Sequence, residues 1–175
     1  AHSMGDWVTL DALRQMAIRN CAIASKITQV MLAAPDVDVD VFARQIAEIG
    51  PKRPPFTLFA STNDEALGFS QRLAGGVERL GSVDPNEEPW RSKLAAERIA
   101  VVDLSDVKSS DKLNHTTFAS ADVVRSIGAR LSSGQKLHDG GAGLGDRIAQ
   151  VTAGAAATVG AAAGLAVSAP LAVVD

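Results

Sequence analysis

A chain of 175 residues has room for one domain with a remainder, and a composition that is 46% hydrophobic and 21% charged supports an ordinary buried core. A formal net charge of −3 and an isoelectric point near 5.6 leave no basic footprint for phosphate backbones, which excludes nucleic acid as an electrostatic partner. Cys21 is the single cysteine, which excludes an intrachain disulfide and a cysteine-based metal site; its place on the first helix predicts simple burial.

The chain opens with Ala1-His2-Ser3-Met4-Gly5, a serine with small residues two places away on either side. In a G-x-S-x-G nucleophile elbow a strand ends, the backbone turns sharply and a helix begins, leaving the serine Oγ exposed. Small flanking residues are needed because a larger Cβ would collide with the neighbouring strand and helix; here Ala1 replaces the commoner glycine and Gly5 is in place. A helix is expected over Asp6 to Asn20, with Val8, Leu10, Leu13, Met16, Ala17 and Ile18 at mostly helical spacing. The bland reading is a chance match or a cloning remnant, so the opening gains weight only from an acid and a base later in the chain. The strand that should precede Ser3 is missing, and a chain beginning inside a motif is expected to continue upstream, so a signal peptide is not assessable.

Lys26 to Ala34, bounded by Pro35, reads as a first strand buried on both faces. Asp38 or Asp40 is a candidate cap for a helix to about Ile49, with Val41, Phe42, Ile46 and Ile49 inward, and Gly50-Pro51 ends it. Phe56 to Ala60 is a second strand, and Asn63-Asp64 begins a helix to about Leu73 that Gly75-Gly76 closes. Gly81 to Trp90 is polar and contains prolines, as a surface loop does. Ile99 to Leu104 is a third strand, and a last helix takes Ala121 to Leu131 with Val123, Val124, Ile127 and Leu131 on one side. Strands alternating with helices in this way predict an α/β fold with parallel strands and right-handed crossovers.

Composition then divides the chain into a domain over 1–133, a glycine-rich linker over 134–147 and an alanine- and glycine-rich apolar tail over 148–175. Residues 148–174 carry no charge and exceed the roughly 20 residues that span a bilayer, yet their apolar side chains supply only roughly −2 to −5 kcal/mol toward insertion. Gly160 and Gly164 form a G-x-x-x-G suited to close helix pairing. Membrane contact and a low-complexity tail both stay open.

Acyl transfer by serine needs a base for the Oγ proton and a carboxylate that holds the base in the right tautomer, and it needs no cofactor or metal. In α/β hydrolases the chain order is serine, acid, histidine, which Ser3, Asp64 and His115 reproduce. Asp64 and His115 follow successive strands, so both should emerge at the edge where open α/β sheets bind ligands. Asp64 could instead serve only as a helix N-cap, and His115 could be an idle loop histidine. Asp36 is the rival acid, directly after the first strand. The run Asp36, Asp38, Asp40 lacks the glycine and distal glutamate of a calcium loop.

The sequences His2-Ser3-Met4-Gly5, Leu32-Ala33-Ala34-Pro35-Asp36-Val37-Asp38, Ser61-Thr62-Asn63-Asp64-Glu65-Ala66-Leu67 and Leu113-Asn114-His115 resemble a bacterial family of uncharacterised α/β hydrolases, over about residues 1 to 131. The resemblance implies a catalytic serine at Ser3, an acid at Asp64, a base at His115 and an oxyanion donor in the Met4 backbone N–H. Substrates of the family are poorly defined, so the resemblance implies a reaction type only; the ordered Ser3, Asp64 and His115 lead to a small-molecule carboxylic ester as the expected substrate, in a bacterial cytoplasm or cell envelope. Asp6 departs from the asparagine expected after Gly5, which leaves the local polarity open. Against that family the chain reads as the C-terminal half of an α/β-hydrolase fold, three parallel strands with helices on both faces. The loop giving the second oxyanion N–H is missing, a deficit worth about 10²–10³ in kcat, so the fragment alone is expected to be inactive. An open strand edge would favour self-association. The alternative from another class is a non-catalytic membrane-associated or assembly module.

Overall fold

Branched and aromatic residues recur in three short runs, β1 (Val30–Ala33), β2 (Phe56–Ala60) and β3 (Ile99–Asp103), which pair in parallel in the order β1-β2-β3. The structure, a computed structural model, describes residues 1–107 and 109–132. The expected linker over 134–147 and the tail over 148–175, with its membrane contact, lie outside the described residues. Among the described residues no helix is long and apolar enough to cross a membrane.

Register sets which side chains share a face. Val30 stands beside Phe56 and Phe56 beside Ile99, and successive residues alternate across the sheet. Val30, Leu32, Phe56, Leu58, Ala60 and Ile99 therefore meet Leu10 and Leu13 of α1 (Met4–Asn20) and Phe42, Ile46 and Ile49 of α2 (Val39–Ile49). On the opposite face Ala33, Phe59 and Val102 pack with Leu104 and with Val123 of α5 (Ala121–Ser132). The central strand β2 is buried at every position, as a parallel strand covered on both sides must be. The α/β architecture with parallel strands and helices is thus the one expected.

Details differ where local signals mislead. β1 begins at Val30 rather than Lys26, leaving Ile27 as a partly buried residue before the strand. Only the stripe Leu10/Leu13 of α1 is buried along with Asp6; Val8 and Ile18 are exposed, and so is Cys21, which sits past the helix in the left-handed region at φ 52°. Val124 likewise faces out while Val123 is fully buried. The expected surface loop from Gly81 starts inside a tight turn, Leu80–Ser82, in which Leu80 and Gly81 are buried, followed by the fully buried Val83. A helix that periodicity does not reveal, α4 (Trp90–Ala96), follows Pro89; seven residues with one buried leucine, Leu94, carry too little pattern.

The strand missing before Ser3 is present at its end. His2 bridges Ala33 in parallel, the Ser3 N–H donates to the Ala33 carbonyl at 3.0 Å and the Ala33 N–H to the Ala1 carbonyl at 3.1 Å. The free edge of β1 is therefore engaged at its C-terminal end, where the site is built.

Gly81 holds the loops after β1 and β2 together. Its N–H donates to the Pro35 carbonyl at 3.0 Å, and its carbonyl accepts from the Ser61 N–H at 2.9 Å. A Cβ there would lie 2.7 Å from both the Ala34 carbonyl carbon and the Pro35 nitrogen, backbone atoms that cannot yield independently. Gly81→Ala is expected to cost about 1–3 kcal/mol through overpacking, read as a lower urea midpoint. An unchanged midpoint would show that the turn can widen.

Candidate active site

Ser3 occupies φ 54°, ψ −130°, a region that residues with a Cβ rarely adopt and that marks a strained turn between strand and helix. The Gly5 N–H donates to the His2 carbonyl at 2.9 Å and the Asp6 N–H to the Ser3 carbonyl at 3.0 Å, which launches α1 directly from the turn. Ser3 makes no side-chain capping bond, so its Oγ is not consumed by the helix. No acceptor among the described residues takes the Met4 N–H, one of the orphan donors of a helix N-terminus. The collision expected of a larger residue at Gly5 has no counterpart among the described residues, since nothing lies within 4 Å of a Cβ placed there.

Asp64 and His115, 51 residues apart, meet: the carboxylate Oδ2 lies 2.8 Å from the imidazole Nδ1. Asp64 is almost wholly buried, at 4% exposure. Its other oxygen, Oδ1, accepts from the Leu67 N–H at 2.9 Å and caps α3 (Glu65–Leu73). The capping reading and the acid reading of Asp64 are therefore compatible, one oxygen for each. His115 Nε2 has no partner among the described residues, and no hydrogen bond joins it to Ser3 Oγ.

The two loops that carry this pair are fastened on both sides of it. The Glu65 N–H donates to the Leu113 carbonyl at 2.9 Å, and Asn114 Nδ2 to the Asn63 carbonyl at 3.2 Å. Asn114 adopts φ 55°, a conformation asparagine tolerates better than most residues, and so aims the next side chain, His115, back toward Asp64. On the other flank the Thr62 N–H donates to Ser105 Oγ at 3.0 Å, and Asn63 Nδ2 to the Ser105 carbonyl at 2.8 Å. Asp111, outside the residues nominated from sequence, organises the histidine turn: its carboxylate accepts the N–H groups of Leu113, His115 and Thr116 at 3.0, 2.9 and 2.9 Å. Those bonds, Leu113 first, hold its carboxyl below the usual range. The cluster Ser109-Ser110-Asp111 is a turn signal that could have pointed to it.

Asp36 points elsewhere. It accepts from Ser70 Oγ at 2.7 Å and lies 3.4 Å from Arg79 Nε, so the structure does not bring it to His115. Asp6, in the first turn of α1, is fully buried, and neither of its oxygens accepts a hydrogen bond of good geometry. Burial pushes its carboxyl up to about 7, and the Ala33 backbone opposes that rise without cancelling it. No group of three or more His, Cys, Asp or Glu side chains among the described residues is placed to hold a metal ion.

Residues 1–131 match the model of a family described as "Alpha/beta hydrolase of unknown function (DUF900)". No curated protein and no solved structure matches the chain.

Proposed function

The chain belongs to that family of α/β hydrolases, and from this premise we propose that it is a serine hydrolase acting on carboxylic esters, with Ser3 as nucleophile, His115 as base and Asp64 as acid. One observation carries the reading: the 2.8 Å contact between Asp64 Oδ2 and His115 Nδ1, which leaves Nε2 bare on a residue packed against the neighbour of Ser3.

The chemistry is set by these roles. Ser3 Oγ attacks the ester carbonyl carbon while His115 Nε2 takes its proton, and the carbonyl oxygen becomes an oxyanion facing the Met4 N–H. Collapse breaks the bond to the leaving oxygen, which receives the proton from His115; the product is an acyl-serine and an alcohol. Water then attacks the acyl carbon, His115 accepting its proton and returning it to Ser3 Oγ as the carboxylic acid departs. Asp64 stays ionised throughout and stabilises the imidazolium. Hydrogen bonds of this kind are commonly long before substrate arrives, so the open Ser3–His115 contact is compatible with the roles.

A fluorophosphonate probe tests the assignment, because only a serine with a neighbouring base attacks phosphorus rapidly. The full-length protein should be labelled at Ser3; Ser3→Ala and His115→Ala should lose labelling, and Asp36→Asn should keep it. Undiminished labelling of the Ser3→Ala protein would place the nucleophile elsewhere.

A further inference from the structure

His2 stands at the end of the strand segment before Ser3, and the reaction scheme assigns it nothing. Its ring lies between two others, 4.7 Å from the His115 ring and 4.7 Å from the Phe118 ring, tilted 44° and 38° to them. Phe118 in turn packs on the sheet cluster of Ala33, Phe59 and Val102. His2 Nε2 is 3.3 Å from the His115 backbone carbonyl, an acceptor only, so the tautomer compatible with this bond carries its proton on Nε2.

We propose that His2 is the positioning residue of the base: its ring and its Nε2–H fix the plane and the backbone of His115 against the rigid sheet, so that Nε2 of His115 faces the Ser3 hydroxyl. This rests on the hydrolase reading above. One hydrogen bond to Asp64 cannot by itself stop an imidazole from swinging about its Cβ–Cγ bond. A second ring packed against it at a tilt can, and the run of rings Phe118–His2–His115 connects that restraint to the sheet. The environment also favours the uncharged form of His2: burial lowers its pKa first and the His115 ring adds to this, while the bond to the His115 carbonyl and Asp64 act against it. A neutral His2 places no like charge beside the imidazolium that His115 becomes during proton transfer.

The test uses the full-length protein with His2→Ala, His2→Gln and His2→Phe. Two quantities are read: the fluorophosphonate labelling rate, and the far-downfield proton resonance of the His115 Nδ1–H bonded to Asp64. His2→Ala should slow labelling by about 10–100-fold, the penalty of a misplaced catalytic group, without changing the probe concentration that gives half the maximal rate. Its downfield resonance should broaden or vanish. His2→Gln, which keeps a donor near the Nε2 position, and His2→Phe, which keeps the ring, should each recover part of both signals. Wild-type rate and a sharp resonance in His2→Ala would overturn the proposal, and so would slow labelling with the resonance intact. Should His2→Ala fail to fold, wild-type behaviour of both remaining variants would overturn it equally. If Ser3 is not the nucleophile, labelling is absent or survives Ser3→Ala, while the resonance still reports whether His2 holds His115, so the two failures are distinguishable.

Discussion

On the proposed serine-hydrolase roles, replacing Asp64 by asparagine in the full-length protein is expected to lower kcat for ester hydrolysis by about 10³–10⁴ while leaving the fold close to wild-type stability. The separation follows from the division of labour between the two carboxylate oxygens. Oδ1 receives the Leu67 N–H at 2.9 Å and terminates α3, whereas Oδ2 receives His115 Nδ1–H at 2.8 Å. An asparagine can keep its oxygen on Leu67, which preserves the cap and turns its amide N–H groups toward His115. Nδ1 must then accept, the ring proton moves to Nε2, and the base presents a proton to Ser3 where it needs a lone pair. Asp64→Ala removes both partners, so it should lose activity and a further ~1 kcal/mol of helix capping. Steady-state kinetics on an ester probe with urea melts of both variants check this. Full activity with reduced stability would reduce Asp64 to a cap, and a comparable loss of turnover in Asp36→Asn would move the acid to Asp36.

Asp6→Asn should stabilise the protein, and the gain should grow with pH. The Asp6 carboxyl rises from 3.8 to about 7 on folding because burial penalises its ionised form. A raised pKa means that the folded state binds the proton more tightly than the unfolded chain. The stability this contributes is complete below about pH 4 and is lost as pH climbs through 7. Asparagine has no such titration. At pH 5 the two proteins should therefore differ little more than an amide differs from a neutral acid, and above pH 8 the variant should lead by roughly 2–4 kcal/mol. Denaturant midpoints measured at pH 5, 7 and 8.5 provide the comparison. A stability difference that does not change across that range would mean that Asp6 finds a compensating partner when ionised. Because Asp6 lies three residues from Ser3, its charge would also sit in the helix turn that offers the Met4 N–H to the oxyanion, so the same variant should retain activity further into the alkaline range.

What the sequence determined by itself is local and periodic. A short apolar run after Pro54-Pro55 places β2 over Phe56–Ala60, Gly50 ends α2, and the small residues around Ser3 announce a turn. The order Ser3, Asp64, His115 together with their positions after predicted strands was enough to nominate three side chains, because parallel topology sends every strand's C-terminal end to one edge. The length of α4 and the burial of Gly81 were not legible, since a seven-residue helix has less than two repeats of its pattern and a glycine's neighbours are set by chains distant in sequence. Only the tertiary structure tells which carboxylate contacts His115: Asp64 and Asp36 both follow strands, yet the first meets His115 and the second meets Ser70 and Arg79. The partners of His2 belong to the same class, whereas those of Asp111 lie within five residues of it in one turn. Periodicity reports which face of an element is buried, whereas hydrogen bonds across more than 50 residues depend on how loops from neighbouring strands are fastened to each other, and no window of sequence contains both loops.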